Sequence, residues 1–139
     1  MIVLDTNVVS EPMKPIANPT VRAWLDRQVA ESLFLTATSL SELLVGIEIL
    51  PHSKRKQGLD TALNELLVTL FGSRILSFDR RAAMAYAPLV GRARSAGRFI
   101  SVADGQIAAI ASVHGFTVAT RDTAPFVAAG ISIINPWKQ

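Results

Sequence analysis

The chain has 139 residues, 50% of them hydrophobic and 18% charged, proportions that exclude a disordered polypeptide and suit a single domain spanning residues 1–139. With no cysteine it has neither a disulfide framework nor a thiolate metal site. No window approaches the roughly 20 apolar residues that span a bilayer, and no basic secretory segment opens the chain, so a cytoplasmic, membrane-free location is expected.

The formal charge of +3 is modest and on its own reads as ordinary solubility charge. It reads differently if four of the 11 acids are gathered at one place, because seven then remain against 14 basic residues. Ten of those basic residues are arginines, whose planar guanidinium forks onto phosphate.

In chain order, Ile2-Val3-Leu4 predicts a short buried strand that ends in Asp5, followed by the turn and cap formers Thr6 and Asn7. One helical turn is expected before a loop holding Pro12, Pro15 and Pro19. Asn18 caps a helix with Pro19 at its first position and Val21, Trp24, Leu25 and Val29 on its inner face. Residues 32–36 predict a second strand. Ser39 to Glu42 spells a capping box, which places Glu42 in the first turn of a helix that Pro51 stops. The run Lys54-Arg55-Lys56 falls in a loop before a leucine-faced helix. Residues 75–78 predict a third strand, with Asp79 capping the next helix, which Pro88 should kink. Arg92, Arg94 and Arg98 form a basic stripe. Ser101 and Asp104 repeat the capping spelling, and Gly115 closes an Ala-rich helix. A fourth strand over 116–120 leads to Asp122, a short helix follows over 125–129, and a fifth strand covers 131–134. The alternation spells an α/β sandwich around a largely parallel sheet.

Asp5 and Asp122 follow strands, whereas Glu42 and Asp104 open helices that return from the carboxyl edge, where open parallel sheets bind ligands. All four can therefore reach one edge. Glu42, Asp104 and Asp122 each also have a purely local explanation as a helix-capping acid, worth about 0.3–1 kcal/mol. Asp5, ending the first strand, has no obvious structural duty in the sequence. If the four converge, their repulsion calls for a cation, and hard oxygen donors without His or Cys select Mg²⁺ or Mn²⁺. Such an ion activates water against a phosphodiester, and the arginines would hold the polyanion. There is no Walker loop, no GxGxxG and no nucleophile elbow. His52 and His114 give little support to a histidine-centred triad.

These residues resemble a known family, the PIN domain, and within it the VapC-type toxins of toxin–antitoxin pairs, most closely the FitB-like branch. The resemblance rests on Ile2-Val3-Leu4-Asp5-Thr6-Asn7 with Ser10-Glu11-Pro12, on Ser41-Glu42-Leu43 with Gly46, and on Ala103-Asp104-Gly105 with Ile107-Ala108-Ala109. It extends to Ala119-Thr120-Arg121-Asp122-Thr123 and the closing Asn135-Pro136-Trp137. It implies a three-layer α/β/α, Rossmann-like, mostly parallel five-stranded sheet and an endoribonuclease dependent on Mg²⁺ or Mn²⁺. It implies metal-site acids at Asp5, Glu42, Asp104 and Asp122. Thr120 and Thr6 are expected to support them and Asn7 to orient Asp5, with Arg121 and Arg98 as substrate contacts. It further implies a homodimer or higher assembly, held inactive by a small DNA-binding antitoxin through which alone operator DNA is contacted. The competing readings are a weakly active subunit of a repressor complex and, further off, a phospho-acceptor domain.

Overall fold

The computed structural model describes residues 1–139. Its centre is a five-stranded, wholly parallel sheet in the order β3-β2-β1-β4-β5. The strands are β1 (Ile2–Leu4), β2 (Leu33–Thr36), β3 (Ile75–Leu76), β4 (Thr117–Ala119) and β5 (Ile133–Ile134). Strand β1 lies in the middle, in register with β2 (Ile2 opposite Leu33) and with β4 (Ile2 opposite Thr117). The chain reverses its direction of travel across the sheet between β1 and β4, the position at the carboxyl ends of the strands where open parallel sheets bind ligands.

Seven helices connect the strands: α1 (Thr6–Ser10), α2 (Pro19–Asp26), α3 (Ala37–Glu48), α4 (Lys54–Leu66), α5 (Arg80–Ser95), α6 (Val102–His114) and α7 (Ala124–Ala128). The alternation of side chains along β1 sorts them into two layers. Val3 joins a core with Leu89, Ala93, Ile107, Ile110 and Phe126 from α5, α6 and α7. Its neighbour Leu4 points the other way, to Val8, Trp24, Leu43 and Leu63 from α1 to α4. Both are essentially without exposure, and each such aliphatic side chain contributes about 1.5–3 kcal/mol relative to water. The three-layer α/β/α architecture follows.

The small residues of α6 let it pack deeply. Ala108, Ala109 and Ala111 are fully buried, and at Gly105 a Cβ would sit 2.7 Å from the Tyr86 ring of α5. Gly115 ends α6 in the left-handed conformation at φ 70°, as its position predicts. Helix α5 continues through Pro88. The carbonyl deprived of a partner there belongs to Met84, an exposed residue, so water can take the place of the missing N–H.

Several boundaries differ from those read in the sequence. Helix α2 stops at Asp26, and Val29 lies beyond it, 65% exposed. The predicted loop at Lys54 is the first turn of α4, capped by Ser53, whose Oγ accepts from Lys56 N–H. The Lys56 ammonium is used locally, donating to the carbonyls of Glu48 and Leu50 at 3.0 and 3.1 Å at the end of α3. This neutralises the negative end of α3 and accounts for a cation at an otherwise unfavourable helix start. Past Leu66 the helix widens into a π-type turn, Leu67–Phe71, which seats Phe71 in the core. Strands β3 and β5 are two residues each, and β4 three.

Candidate active site

The largest departure from the sequence reading concerns Glu42. The N-cap of α3 is Thr36, not Ser39: Thr36 Oγ1 accepts from Ser39 N–H at 3.0 Å. Glu42 consequently lies in the second turn and has no capping duty. Its carboxylate instead accepts a hydrogen bond from Thr6 Oγ1 at 2.8 Å, across 36 residues of sequence. Thr6 opens α1 directly after Asp5, so this bond brings the second acid to the end of β1.

Asp5 is 5% exposed. Its Oδ1 accepts from Thr6 N–H at 2.8 Å and its Oδ2 from Thr120 Oγ1 at 2.7 Å. The same Thr120 hydroxyl accepts from Asp122 N–H at 3.1 Å. Thr120, itself fully buried just past β4, thereby ties the first acid to the turn that carries the fourth. Neither helix capping nor an ion pair explains Asp122, because the N-cap of α7 is Thr123 and it makes no side-chain bond. Asp104 does occupy the third position of α6, with Ser101 Oγ accepting from its N–H at 3.1 Å. One of the three capping explanations thus holds, and Asp5, for which the sequence offered no structural duty, is itself the N-cap of α1.

The electrostatics couple the group. The Asp104 pKa is raised to about 6, first by burial and then by the Asp5 charge, with smaller contributions from Asp122 and Glu42 and a hydrogen bond with Ser101 opposing. Asp5 is also raised, first by burial, with Thr120 and Thr6 opposing and the charges of Glu42 and Asp122 reinforcing. The charges of Glu42 and Asp122 act on both Asp5 and Asp104, so the four carboxylates lie near one another. No three of them stand close enough to form a closed cage for an ion. A hydrated Mg²⁺ needs no such cage, since it keeps several waters and is held through one or two carboxylates. The donor set, all hard oxygen around a partly desolvated acid, therefore fits Mg²⁺ or Mn²⁺.

Asn7 is not where the sequence reading expects it. Its Oδ1 accepts from the main-chain N–H of Arg121 at 3.4 Å, and it makes no bond to Asp5. The Asp5 carboxylate is oriented by the two threonines. Arg121 lays its guanidinium over the Trp137 ring, 5.3 Å from the centroid. Arg98 is exposed and makes no ion pair. Two residues escaped the sequence reading: Thr38, whose Oγ1 donates to Gln106 Oε1 at 3.0 Å, and Gln106 itself. They bridge α3 to α6, the helices that carry Glu42 and Asp104. Nothing in a pattern of apolar spacing signals a bond across 68 residues.

A parallel sheet with this strand order, with acids from two strand ends and two helices near its switch point, is the architecture of a PIN-type nuclease. The chain belongs to the PIN domain family, whose family model matches residues 2–131. It is 46% identical over 138 residues to the VapC ribonuclease Y4jK of Sinorhizobium fredii, covering 99% of each chain. It is 45% identical over 137 residues to the toxin FitB of Neisseria gonorrhoeae, again covering 99% of each. Among solved structures, it superimposes on a chain of FitAB bound to an IR36 DNA fragment with a TM-score of 0.95 at 43% identity, covering 100% of this chain and 97% of the other.

Proposed function

We propose that the protein is the toxin of a toxin–antitoxin pair, an endoribonuclease that hydrolyses RNA phosphodiester bonds with Mg²⁺ or Mn²⁺ at Asp5, Glu42, Asp104 and Asp122. The observation that carries the reading is the shared electrostatic environment of the four acids at the switch point, with Thr120 joining Asp5 to the Asp122 turn. Similarity over the full length to a VapC ribonuclease and to the toxin FitB supports it.

Asp5, held by two hydrogen bonds and buried, is the fixed ligand of the set, and Asp104 the one most in need of a neutralising cation. Glu42 and Asp122 are reached from α3 and from the β4–α7 turn. A bound Mg²⁺ or Mn²⁺ would supply Lewis acidity at the phosphate and activate the attacking water. The acids would hold the ion. Thr120 and Thr6 orient Asp5, and Thr6 also orients Glu42.

The substrate side is basic. Residues 80–103, which lead into Asp104, contain five arginines and no acid. Arg98 in this stretch is exposed and free of ion pairs, which suits contact with an RNA phosphate. Arg121 stays exposed while one face of its guanidinium rests on Trp137, so its edge can also meet phosphate.

An antitoxin partner is supported by the match to FitAB bound to DNA. A groove of about 320 Å³ adjoins Thr6 and Glu42, floored by Met13, Leu43, Ile47 and Leu59, and would accept an apolar segment of such a partner. Operator DNA would be contacted through that partner, and a homodimer or larger assembly would form around it. No helix is long and apolar enough to cross a membrane, which accords with action in the cytoplasm. Induction of the chain alone should arrest growth, and co-expression of a cognate small DNA-binding antitoxin should relieve the arrest. RNA-end sequencing during the arrest should reveal new cleavage ends at a restricted set of sites. Growth arrest without new RNA ends would overturn the ribonuclease assignment.

A further inference from the structure

The turn that carries Asp122 has an unusual means of support. The N–H groups of Arg121 and Asp122 make no main-chain hydrogen bond. The first donates to Asn7 Oδ1 and the second to Thr120 Oγ1. Both residues are exposed, so the apolar core does not grip them either. What remains is the Arg121 side chain. Its guanidinium lies over the face of Trp137, in the closing 3₁₀ turn Pro136–Lys138.

That closing turn is itself well anchored. Asn135 Oδ1 accepts from Trp137 N–H at 3.0 Å, Pro136 is buried, and the Trp137 ring packs at the border of the core that contains Trp24 and Leu4. The turn rests on α2. Glu11 is an acid that the proposed chemistry does not use. It is 6% exposed, paired with Lys14 at 2.7 Å, and accepts from Asn18 N–H at 3.3 Å. Its charge reaches Arg121. Arg121 thus rests on an aromatic face fixed to the body of the protein, and it forms no ion pair with Glu11.

We infer that Trp137 is a positioning residue for Asp122, acting through Arg121, so that the last turn of the chain sets the geometry of the fourth acid of the active site. The inference rests on the metal-site reading above and adds to it a residue 15 positions away in sequence from the acid it serves, Asp122. A cation–π contact of this kind, partly exposed, is modest in strength, so its loss should weaken the site by a small factor and leave it in existence.

The test is Mn²⁺ affinity of the purified full-length protein, measured by equilibrium titration well below its melting temperature, with RNA cleavage recorded in parallel. Trp137→Leu keeps apolar bulk but has no π-face, and should weaken Mn²⁺ binding by about threefold to tenfold. Trp137→Phe should restore most of the loss. Arg121→Gln should give a similar loss, and the Trp137→Leu, Arg121→Gln double variant should be no worse than either alone, because one contact is being removed twice. Asp122→Asn is the control. If it weakens Mn²⁺ binding while Trp137→Leu only lowers the melting temperature, the positioning role is overturned and the metal site stands. Mn²⁺ affinity unchanged in both overturns the metal-site reading together with the inference. Additive losses in the double variant also overturn it.

Discussion

Asp104→Asn is expected to abolish RNA cleavage and, in the metal-free protein at pH 7, to raise the melting temperature. The sign follows from the electrostatics. A carboxyl whose folded pKa lies near 6, above the ordinary 3.8, favours folding fully only while protonated. Its contribution is complete below about pH 4 and is lost as the pH rises through 6. At pH 7 the ionised Asp104 is a net cost to the metal-free fold. A pKa raised from 3.8 to about 6 corresponds to a cost of at most about 3 kcal/mol. Asp104 is only about half buried, and screening by solvent reduces this to about 1 kcal/mol. That equals a rise of a few degrees in a domain of this size. Scanning calorimetry after dialysis against chelator would measure it. The wild type itself should become more stable as the pH falls from 7 to 5. A melting temperature lower in Asp104→Asn than in wild type at pH 7 would show that the carboxylate is a structural capping acid and nothing more.

Thr120→Val is the second substitution with a large expected effect. It preserves shape and removes one hydroxyl that is fully buried and bonded on both sides. Asp122 N–H loses its acceptor, and Asp5 keeps its charge with one fewer donor. Stability should fall by about 1–3 kcal/mol. Cleavage should fall by about 10–100-fold, the range typical when the group that orients a metal-site ligand is lost. The Asp5 pKa should rise further, because the Thr120 bond is the largest influence holding it down. The acid limb of the pH–rate profile would then shift to higher pH. Thr120→Ser should behave nearly as wild type. A stability loss with an unchanged pH–rate profile would reduce Thr120 to a packing residue.

The contrast between Glu42 and Asp104 explains what the sequence could and could not reveal. Both follow a serine by three residues, and both spell a capping box. For Asp104 the spelling is literal, since Ser101 is the N-cap. For Glu42 it is not, because Thr36, at the end of β2, caps first and moves Glu42 a turn further along the helix. Two cap formers within four residues cannot be ranked without knowing where the strand ends, and that depends on pairing with β1 and β3. The architecture was more legible. Val3 and Leu4, Leu33 and Leu35, and Val118 and Ala119 are apolar and buried, the pattern of strands covered on both sides, and helical spacing between them left little choice but a parallel sheet. The convergence of the acids was legible only as a possibility. It is made by bonds between distant residues, Thr6 with Glu42 and Thr120 with Asp5, and no local period encodes those. The role of the final Trp137 was invisible for the same reason.

The exposed apolar side chains Leu44, Val45 and Ile49 lie on α3 and its C-cap, the helix that carries Glu42. Partner binding on that helix would act close to the proposed chemistry.

The most direct test of the four-acid site is cleavage of a single-stranded RNA by the purified, partner-free protein in Mg²⁺ or Mn²⁺, compared with Asp5→Ala and Asp104→Ala variants of matched circular dichroism. The account predicts cleavage by the wild type that a chelator stops and added metal restores, and none by either variant. Cleavage at the wild-type rate by both variants, or cleavage undiminished by the chelator, would contradict it.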